Sequence, residues 1–173
     1  MTRFKFWKAR FTELVIAVVM ATAIISLAGQ INEQQRDAVS PDAWLRINEV
    51  YVPDYPAGEP PMILYDRVIR ENFTGFWIVE VQRKTKTGLW STACSGNGVN
   101  EYDPAEVIEN NRVTWEWYIG KPCIVDTGVY RLKTTYDMTR PGWPAKRLFS
   151  LSNEFIVHRQ DGTCPVCGGG LEP

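Results

Sequence analysis

The hydrophobic and polar positions divide this chain into one apolar segment near the N-terminus and a longer part made of short apolar runs. The apolar segment covers residues 14–28 and follows four basic residues, Arg3, Lys5, Lys8 and Arg10. Because basic flanks resist translocation, we expect the N-terminus to stay in the cytoplasm while the rest of the chain is exported. Residues 1–29 are therefore predicted to form a signal-anchor transmembrane helix.

The length of this segment leaves two interpretations open. A spanning helix needs about 20 apolar residues, whereas the core of a cleavable signal peptide has roughly 7 to 15. The aromatic residues around Trp7 and the long side chains of Lys8 and Arg10 favour an uncleaved anchor. Ser26 and Ala28, in contrast, fit the small-residue pattern of a cleavage site. We expect a single-pass protein of the inner or plasma membrane with a periplasmic or extracellular domain.

A polar juxtamembrane spacer at residues 30–42 is followed by short apolar runs that alternate with turn residues. The runs cover residues 44–52, 62–69, 76–83, 89–94, 113–119, 126–136 and 148–157. They are rich in β-branched and aromatic residues, and Pro and Gly separate them at intervals of about ten residues, which is typical of sandwiches and barrels. Residues 113–119 alternate most regularly, and residues 95–111 are predicted to be irregular. In the run at residues 76–83, Trp77, Val79 and Val81 are predicted to share one face. The pattern predicts a mainly β domain over residues 43–158.

The start of the sixth run carries a recognisable motif. Asp126, Gly128 and Tyr130 stand in the order D-T-G-V-Y, which resembles the tyrosine corner of the immunoglobulin superfamily, where the tyrosine hydroxyl bonds back to the main chain. Trp77 stands where such folds have their core tryptophan. Leu132 replaces the second cysteine of a classical domain. The resemblance implies an immunoglobulin-like or fibronectin-like antiparallel β-sandwich of about seven strands.

The four cysteines fall into two groups. Cys94 and Cys123 lie inside the predicted domain, and in an oxidising compartment they are expected to form a disulfide worth on the order of 3 kcal/mol. Cys164 and Cys167 form a C-P-V-C motif in a predicted flexible tail, residues 159–173. Together with His158 they give at most three of the four ligands that zinc requires. The tail is therefore predicted to form a disulfide or to share a zinc ion with a second chain.

Charge and composition exclude several classes of function. The chain has a net charge of −1, and the part after the leader is mildly acidic without a basic cluster, so a nucleic-acid partner is not expected. His158 is the only histidine, which removes histidine-based triads and multi-histidine metal centres from the domain. No enzyme activity and no cofactor are expected; carboxylate chemistry with Glu80, Glu116, Asp126 and Asp137 is the alternative.

The aromatic residues are numerous, with seven Trp, seven Tyr and seven Phe. Trp143 lies in a proline-bounded loop beside Arg140 and Lys146, which makes it a candidate contact anchor for a protein or sugar partner. The alternative is that this ring folds back over the sheet.

These observations lead to three functional hypotheses. The first is a membrane-anchored binding or assembly module whose partner is another protein or a second copy. The second is a secreted or envelope-associated carbohydrate-directed module or enzyme. The third is a structural oligomer joined through the C-P-V-C tail by zinc or disulfides.

Overall fold

A computed structural model describes residues 2–159. The chain divides into two compact units, with the boundary between Val39 and Ser40. The first unit is helix α1, Thr2–Ala38. Within its 24-residue segment Val15–Ala38, the most apolar stretch of 18 residues has a mean hydropathy of 1.9. At about 1.5 Å per residue this segment is long enough to cross about 30 Å of hydrocarbon. The polar residues predicted as a spacer continue this helix as far as Ala38.

The second unit is mainly β, as predicted. The described part contains nine strands where about seven were expected. They are β1 (Leu45–Tyr51), β2 (Tyr55–Pro56), β3 (Met62–Ile69), β4 (Phe73–Lys84), β5 (Trp90–Tyr102), β6 (Arg112–Thr114), β7 (Gly128–Thr139), β8 (Lys146–Leu151) and β9 (Phe155–His158). A short helix, α2 (Trp115–Ile119), follows β6 directly, and single 3-10 turns cover Pro41–Ala43 and Glu109–Asn111.

Two sheets pack against each other. One has three strands in the order β1-β3-β6, and the other has six, in the order β2-β9-β7-β4-β5, with β8 also paired to β7. The pairs are antiparallel except for the short parallel contact between β2 and β9. Within β4 the predicted alternation is confirmed, because Val79 and Val81 are fully buried beside Trp77 while Phe76 faces outward.

The predicted last strand, residues 148–157, is divided into β8 and β9. Both halves pair with the same edge of β7, but residues 152–154 leave the ladder. The Ser152 N–H still donates to the Leu132 carbonyl at 3.0 Å, and side chains supply the other bonds there. Ser152 accepts from the Leu132 amide through its hydroxyl at 2.8 Å. The Asn153 side chain accepts from the Val52 N–H and donates to the Val52 carbonyl, both at 2.8 Å. The break therefore fixes the Val52 segment to the larger sheet.

The prediction of one strand over residues 113–119 was wrong after Thr114. The Thr114 hydroxyl accepts from the Trp117 N–H at 3.1 Å and so caps α2, while Gly120 ends the helix in the left-handed conformation, with a φ of 77°. Burial follows the helical spacing of Trp115, Tyr118 and Ile119. The spacing of Trp115 and Trp117 indicates the two-residue period of a strand. A segment this short also fits the 3.6-residue period of a helix, and the capping residues and the packing favour the helix.

The prediction that residues 95–111 are irregular was wrong in its first half. Strand β5 continues to Tyr102 because its residues pair with β4 from Lys84↔Trp90 to Phe73↔Tyr102. The small residues that suggested a loop occupy strand positions against bulky neighbours.

Two clusters of buried side chains fill the domain. The larger one lies between the sheets and includes Val79, Val81, Leu132 and Phe155. The smaller one includes Trp44, Phe73, Tyr102, Tyr136 and Met138. Trp77 packs against both clusters and so stands at their boundary.

Candidate functional site

A cavity of about 310 Å³ opens between the sheets beside β5. We call it the aromatic slot. Strand β3 and helix α2 form one wall, and strands β4, β5 and β7 form the other. Its lining consists of Tyr65, Arg67, Trp77, Val99, Asn100, Tyr102, Glu106, Trp117, Tyr118, Thr134 and Tyr136. The lining is thus dominated by aromatic rings that carry polar groups at their edges.

The inner wall of the slot is a network of tyrosine hydroxyls. Tyr65 and Tyr136 share a hydrogen bond of 2.9 Å, and Tyr118 shares one of the same length with Thr134. The four side chains are at most 5 % exposed. The rings of Tyr65 and Tyr118 meet edge to face with their centroids 5.1 Å apart, a favourable arrangement for aromatic pairs. The network therefore holds the rings that line the slot in fixed positions.

Arg67 is a buried cation at the slot. Its side chain is only 4 % exposed, and it forms an ion pair of 2.7 Å with Glu106, whose side chain is 32 % exposed. The guanidinium also lies over the rings of Tyr65 and Tyr102, 5.1 and 5.0 Å from their centroids. A buried charge is tolerated only when it is paired. The carboxylate and the two ring faces supply that compensation.

Burial shifts the pKa values of the slot residues. Desolvation raises the pKa of Tyr65 to about 12, and it raises the pKa of Tyr102, Tyr118 and Tyr136 as well. For Arg67, desolvation lowers the pKa, but Tyr65 and Glu106 outweigh it, so that the pKa is raised. At neutral pH the slot therefore presents neutral hydroxyls and one internally balanced ion pair.

Two glycines make room for the indole of Trp77. A Cβ at Gly98 would lie 2.6 Å from that ring, and one at Gly120 would lie 2.5 Å from it. Gly120 also has the positive φ that ends α2. Any larger residue at either position would displace the ring. Gly98 in β5 and Gly120 after α2 thus allow the close approach of Trp77 to the edge of the slot.

The predicted disulfide between Cys94 and Cys123 is confirmed. It joins β5 to the segment between α2 and β7. Trp115 adds a second link, because its indole N–H donates to the Cys123 carbonyl at 2.9 Å in a buried position. The helix that carries Trp117 and Tyr118 is therefore fixed near β5 at one end of the slot.

The structure places the D-T-G-V-Y motif at the start of β7. Tyr130 is 1 % exposed, stacks on Phe155 at 6.0 Å, and lies 5.9 Å from the Arg83 guanidinium. Burial raises the pKa of Tyr130, and Asp126 is exposed. Within residues 2–159 the Tyr130 hydroxyl makes no hydrogen bond to the main chain; instead, Arg83 donates to the Thr127 carbonyl at 2.9 Å. The immunoglobulin-like resemblance of this corner stays a prediction.

The three predicted partner-contact residues lie away from the slot. The Trp143 ring is half-buried and packs edge to face on Trp44, with centroids 6.0 Å apart. Arg140 lies 5.6 Å from the Trp143 ring and pairs with Glu71 at 3.0 Å, and Lys146 is only 7 % exposed. The ring is thus folded toward the core, as in the alternative considered above, and its role as a partner contact stays a prediction.

The C-P-V-C motif, with Cys164 and Cys167, lies outside the described residues. His158 ends β9 and its Nδ1 is 3.0 Å from the Arg159 carbonyl. Among the side chains of residues 15–159, no group of three His, Cys, Asp or Glu residues is placed to hold a metal. The disulfide or zinc assignment of the tail therefore stays a prediction.

The slot cannot be predicted from local sequence, because its lining comes from separate segments that meet only in the fold. One signal was present. In β3, residues 63, 65, 67 and 69 share the face that points toward the core. Arg67 is thus a charged residue on a face that is otherwise formed by Ile63, Tyr65 and Ile69. A charged residue on the inward face of a strand is unusual and indicates a partner or a site.

Comparisons with known proteins give no relative: no family model, no curated protein and no solved structure matches this chain. The function must therefore be argued from the geometry of the molecule.

Proposed function

We propose that this protein is a single-pass membrane protein that presents an exported β domain as a binding module, with the aromatic slot as its binding site. The observation that supports binding most strongly is the slot itself. Concave sites lined by aromatic rings with a few convergent polar groups are typical ligand sites. A domain that required only stability would gain more from filling this space with aliphatic side chains.

The character of α1 supports anchorage. Its apolar side chains are exposed on the helix surface, including Ile24 at 62 % and Ile25 at 71 %. A helix with an apolar surface of this extent is stable in the hydrocarbon core of a membrane. The basic residues in the N-terminal part of α1, before the apolar residues, favour a cytoplasmic N-terminus. The Cys94–Cys123 disulfide suits an oxidising compartment. We therefore propose that the domain lies on the outer side of the inner or plasma membrane.

Binding is favoured over catalysis by the carboxylates. Glu106 is the only carboxylate among the described lining residues of the slot, whereas glycosidases require two acids across the scissile bond. Glu80 and Asp137 are engaged with Lys133 and Arg147 on the other face of the sheet. We propose that the slot holds a ligand without transforming it.

The strand order supports an immunoglobulin-like or fibronectin-like arrangement, which we propose for the domain. If β1, β3 and β6 correspond to strands A, B and E, they form one sheet as expected. Strands β4 and β7 then correspond to C and F, and β8 with β9 corresponds to G, in the other sheet. An experimental structure with a different strand pairing would overturn this assignment.

Anchorage is tested by the mass of the mature protein and by washing membranes at alkaline pH. The proposal expects an intact N-terminus and a protein that stays in the membrane pellet. Loss of about the first 28 residues, at the Ser26-x-Ala28 site, would contradict anchorage.

Binding in the slot is tested by screening chemically diverse small ligands with the full-length protein. Trp117 is half exposed, so bound ligands are expected to change its fluorescence. The matched variant is Trp117→Ala, which removes the reporter and a wall of the slot, and the control is Trp143→Ala. The proposal fails if no ligand distinguishes Trp117→Ala from the wild-type protein.

A further inference from the structure

The charges of the slot restrict the ligands that it accepts. The Arg67 guanidinium already lies over the rings of Tyr65 and Tyr102 and is paired with Glu106. A cationic ligand could not bind the faces of these two rings, because the Arg67 guanidinium already covers them, and its charge would repel a second cation. An anionic ligand would have to displace the Glu106 carboxylate from Arg67. The slot is therefore suited to an uncharged ligand.

The walls of the slot offer ring surface together with hydrogen-bonding groups. Trp117 is 49 % exposed, so part of its indole is open to a ligand. The side-chain amide of Asn100 makes no hydrogen bond to any residue in the described part of the chain, and it supplies both a donor and an acceptor. The Glu106 side chain keeps about a third of its surface open and offers further acceptor sites.

A sugar ring has the complementary surface. Its C–H faces are apolar and pack on an indole, while its hydroxyl groups donate to carboxylates and both donate to and accept from amides. The volume of about 310 Å³ is at the lower end of the range for small-ligand sites, about 300–1,000 Å³. The slot therefore has room for a short sugar segment and not for a folded partner.

We propose that the aromatic slot binds a neutral sugar unit, stacked on Trp117 and hydrogen-bonded by Asn100 and Glu106. This inference rests on the proposed function of the slot as a binding site and names its ligand class. The sugar is recognised as a neutral pyranose, either free in solution or as part of a polysaccharide.

The test is isothermal titration of the full-length protein in a detergent without a sugar head group, since a maltoside would itself compete for the site. Neutral probes are oligosaccharides of glucose, galactose and N-acetylglucosamine. Charged probes are glucuronate, glucosamine, choline and inorganic phosphate. Binding of at least one neutral oligosaccharide, with no binding of the charged probes, is the expected result.

Variants show whether such binding uses the slot. Trp117→Ala is expected to weaken binding at least tenfold, and Asn100→Ala three- to tenfold, as the loss of one hydrogen bond suggests. Glu106→Gln keeps the shape of the side chain and tests the carboxylate. Trp143→Ala should bind as the wild type does. A far-ultraviolet circular dichroism spectrum and a cooperative urea unfolding transition like those of the wild type show that each variant is folded.

The outcomes separate the two proposals. Neutral sugars that bind equally well to wild type and to folded Trp117→Ala overturn the slot as the sugar site. Charged probes that bind in a Trp117-dependent way overturn the assignment of a neutral sugar but keep the slot as a binding site. No binding of any probe, including the insoluble polysaccharides cellulose and chitin in a pull-down, overturns the sugar assignment, and a negative fluorescence screen then removes the binding function as well. Binding to polysaccharide but not to free sugars identifies the polymer as the source.

Discussion

The two ends of the β-domain interior are built from the same strands but are filled differently. At one end, which we call the closed end, β4 and β7 place Val79, Val81 and Leu132, each at most 1 % exposed, against Phe155. At the slot end, the next inward positions are Trp77, Thr134 and Tyr136. A shift of two residues along each strand therefore replaces aliphatic packing by hydroxyl groups and an open cavity.

This difference shows which end is optimised for stability. Buried hydroxyls contribute little net free energy even when they are bonded, and they are costly when they are not. The closed end also buries two tyrosines, Tyr55 and Tyr130, beside Phe155, but in the described part of the chain their hydroxyl groups form no bond to another hydroxyl. We infer that the polar network at the slot end is retained because it positions Trp77, Trp117 and Arg67 for a ligand.

The largest effect is expected from alkaline pH, because it acts on the slot hydroxyls together. Burial raises the folded-state pKa of Tyr65 to about 12 and also raises those of Tyr102, Tyr118 and Tyr136. Their contribution to stability is fully present below the unfolded pKa of about 10 and is lost as pH rises toward the folded values. Each tyrosine removes about 1.4 kcal/mol per pH unit in that window, so urea unfolding between pH 8 and 11.5 should show a loss of several kcal/mol.

Tyr65→Phe is the control for this prediction. It removes one of the ionisable hydroxyls and should make the alkaline loss less steep by that residue's share. A stability that stays constant between pH 10 and 11.5 would contradict the buried network.

Truncation at the closed end should have the next largest effect. Phe155 is fully buried, and the rings of Tyr55, Tyr130 and Trp115 lie 6.0 to 6.1 Å from it. Phe155→Ala leaves a cavity and should destabilise the domain by about 3–5 kcal/mol in urea unfolding. Trp117→Ala, at the half-exposed mouth of the slot, should cost less than about 1 kcal/mol. Equal losses in the two variants would remove the distinction between the ends.

Removal of the disulfide should destabilise the domain by about 3 kcal/mol. Cys94 and Cys123 are separated by 29 residues. A crosslink over such a loop lowers the conformational entropy of the unfolded chain and so stabilises the folded state by about 3 kcal/mol. Cys94→Ser with Cys123→Ser should lower the free energy of unfolding, and a reducing agent should destabilise the wild type but not this double variant. If reduction leaves wild-type stability unchanged, the bond is not formed in the protein.

Replacement of the buried cation should have a smaller effect. Arg67→Met leaves Glu106 without its partner and removes the cation from two tyrosine rings, which should cost about 2 kcal/mol. Glu106→Gln should cost less, because that side chain is more exposed and Arg67 keeps both ring faces. Urea unfolding of the two variants measures the difference, and a larger loss for Glu106→Gln would contradict the account of Arg67.

Much of the fold was predictable from local patterns. The apolar helix, the β character of the domain, the inward set of β4 and the Cys94–Cys123 bond follow from composition, alternation and compartment. The errors lie where tertiary contacts override local pattern. The strand predicted through Trp115 and Trp117 is a helix because Thr114 and Gly120 cap it and the domain buries its helical face.

The candidate site was not predictable to the same degree. The prolines around Trp143 make this loop tryptophan a candidate contact in the sequence, but its ring packs on Trp44. The slot depends on β3, β5, α2 and β7 meeting in space, and on Gly98 in β5 and Gly120 after α2, which make room for Trp77. Arg67 alone carried a local signal, since it is a charge in the inward set of β3.

The most direct test of the sugar-binding slot is the indole N–H spectrum of the full-length protein, labelled with ¹⁵N-tryptophan in lipid nanodiscs. On titration with neutral oligosaccharides, we predict that the signals of Trp117 and Trp77 shift in a saturable way while those of Trp44 and Trp143 stay in place. Saturable shifts confined to Trp143, or a Trp117 signal that no neutral sugar moves, would contradict it.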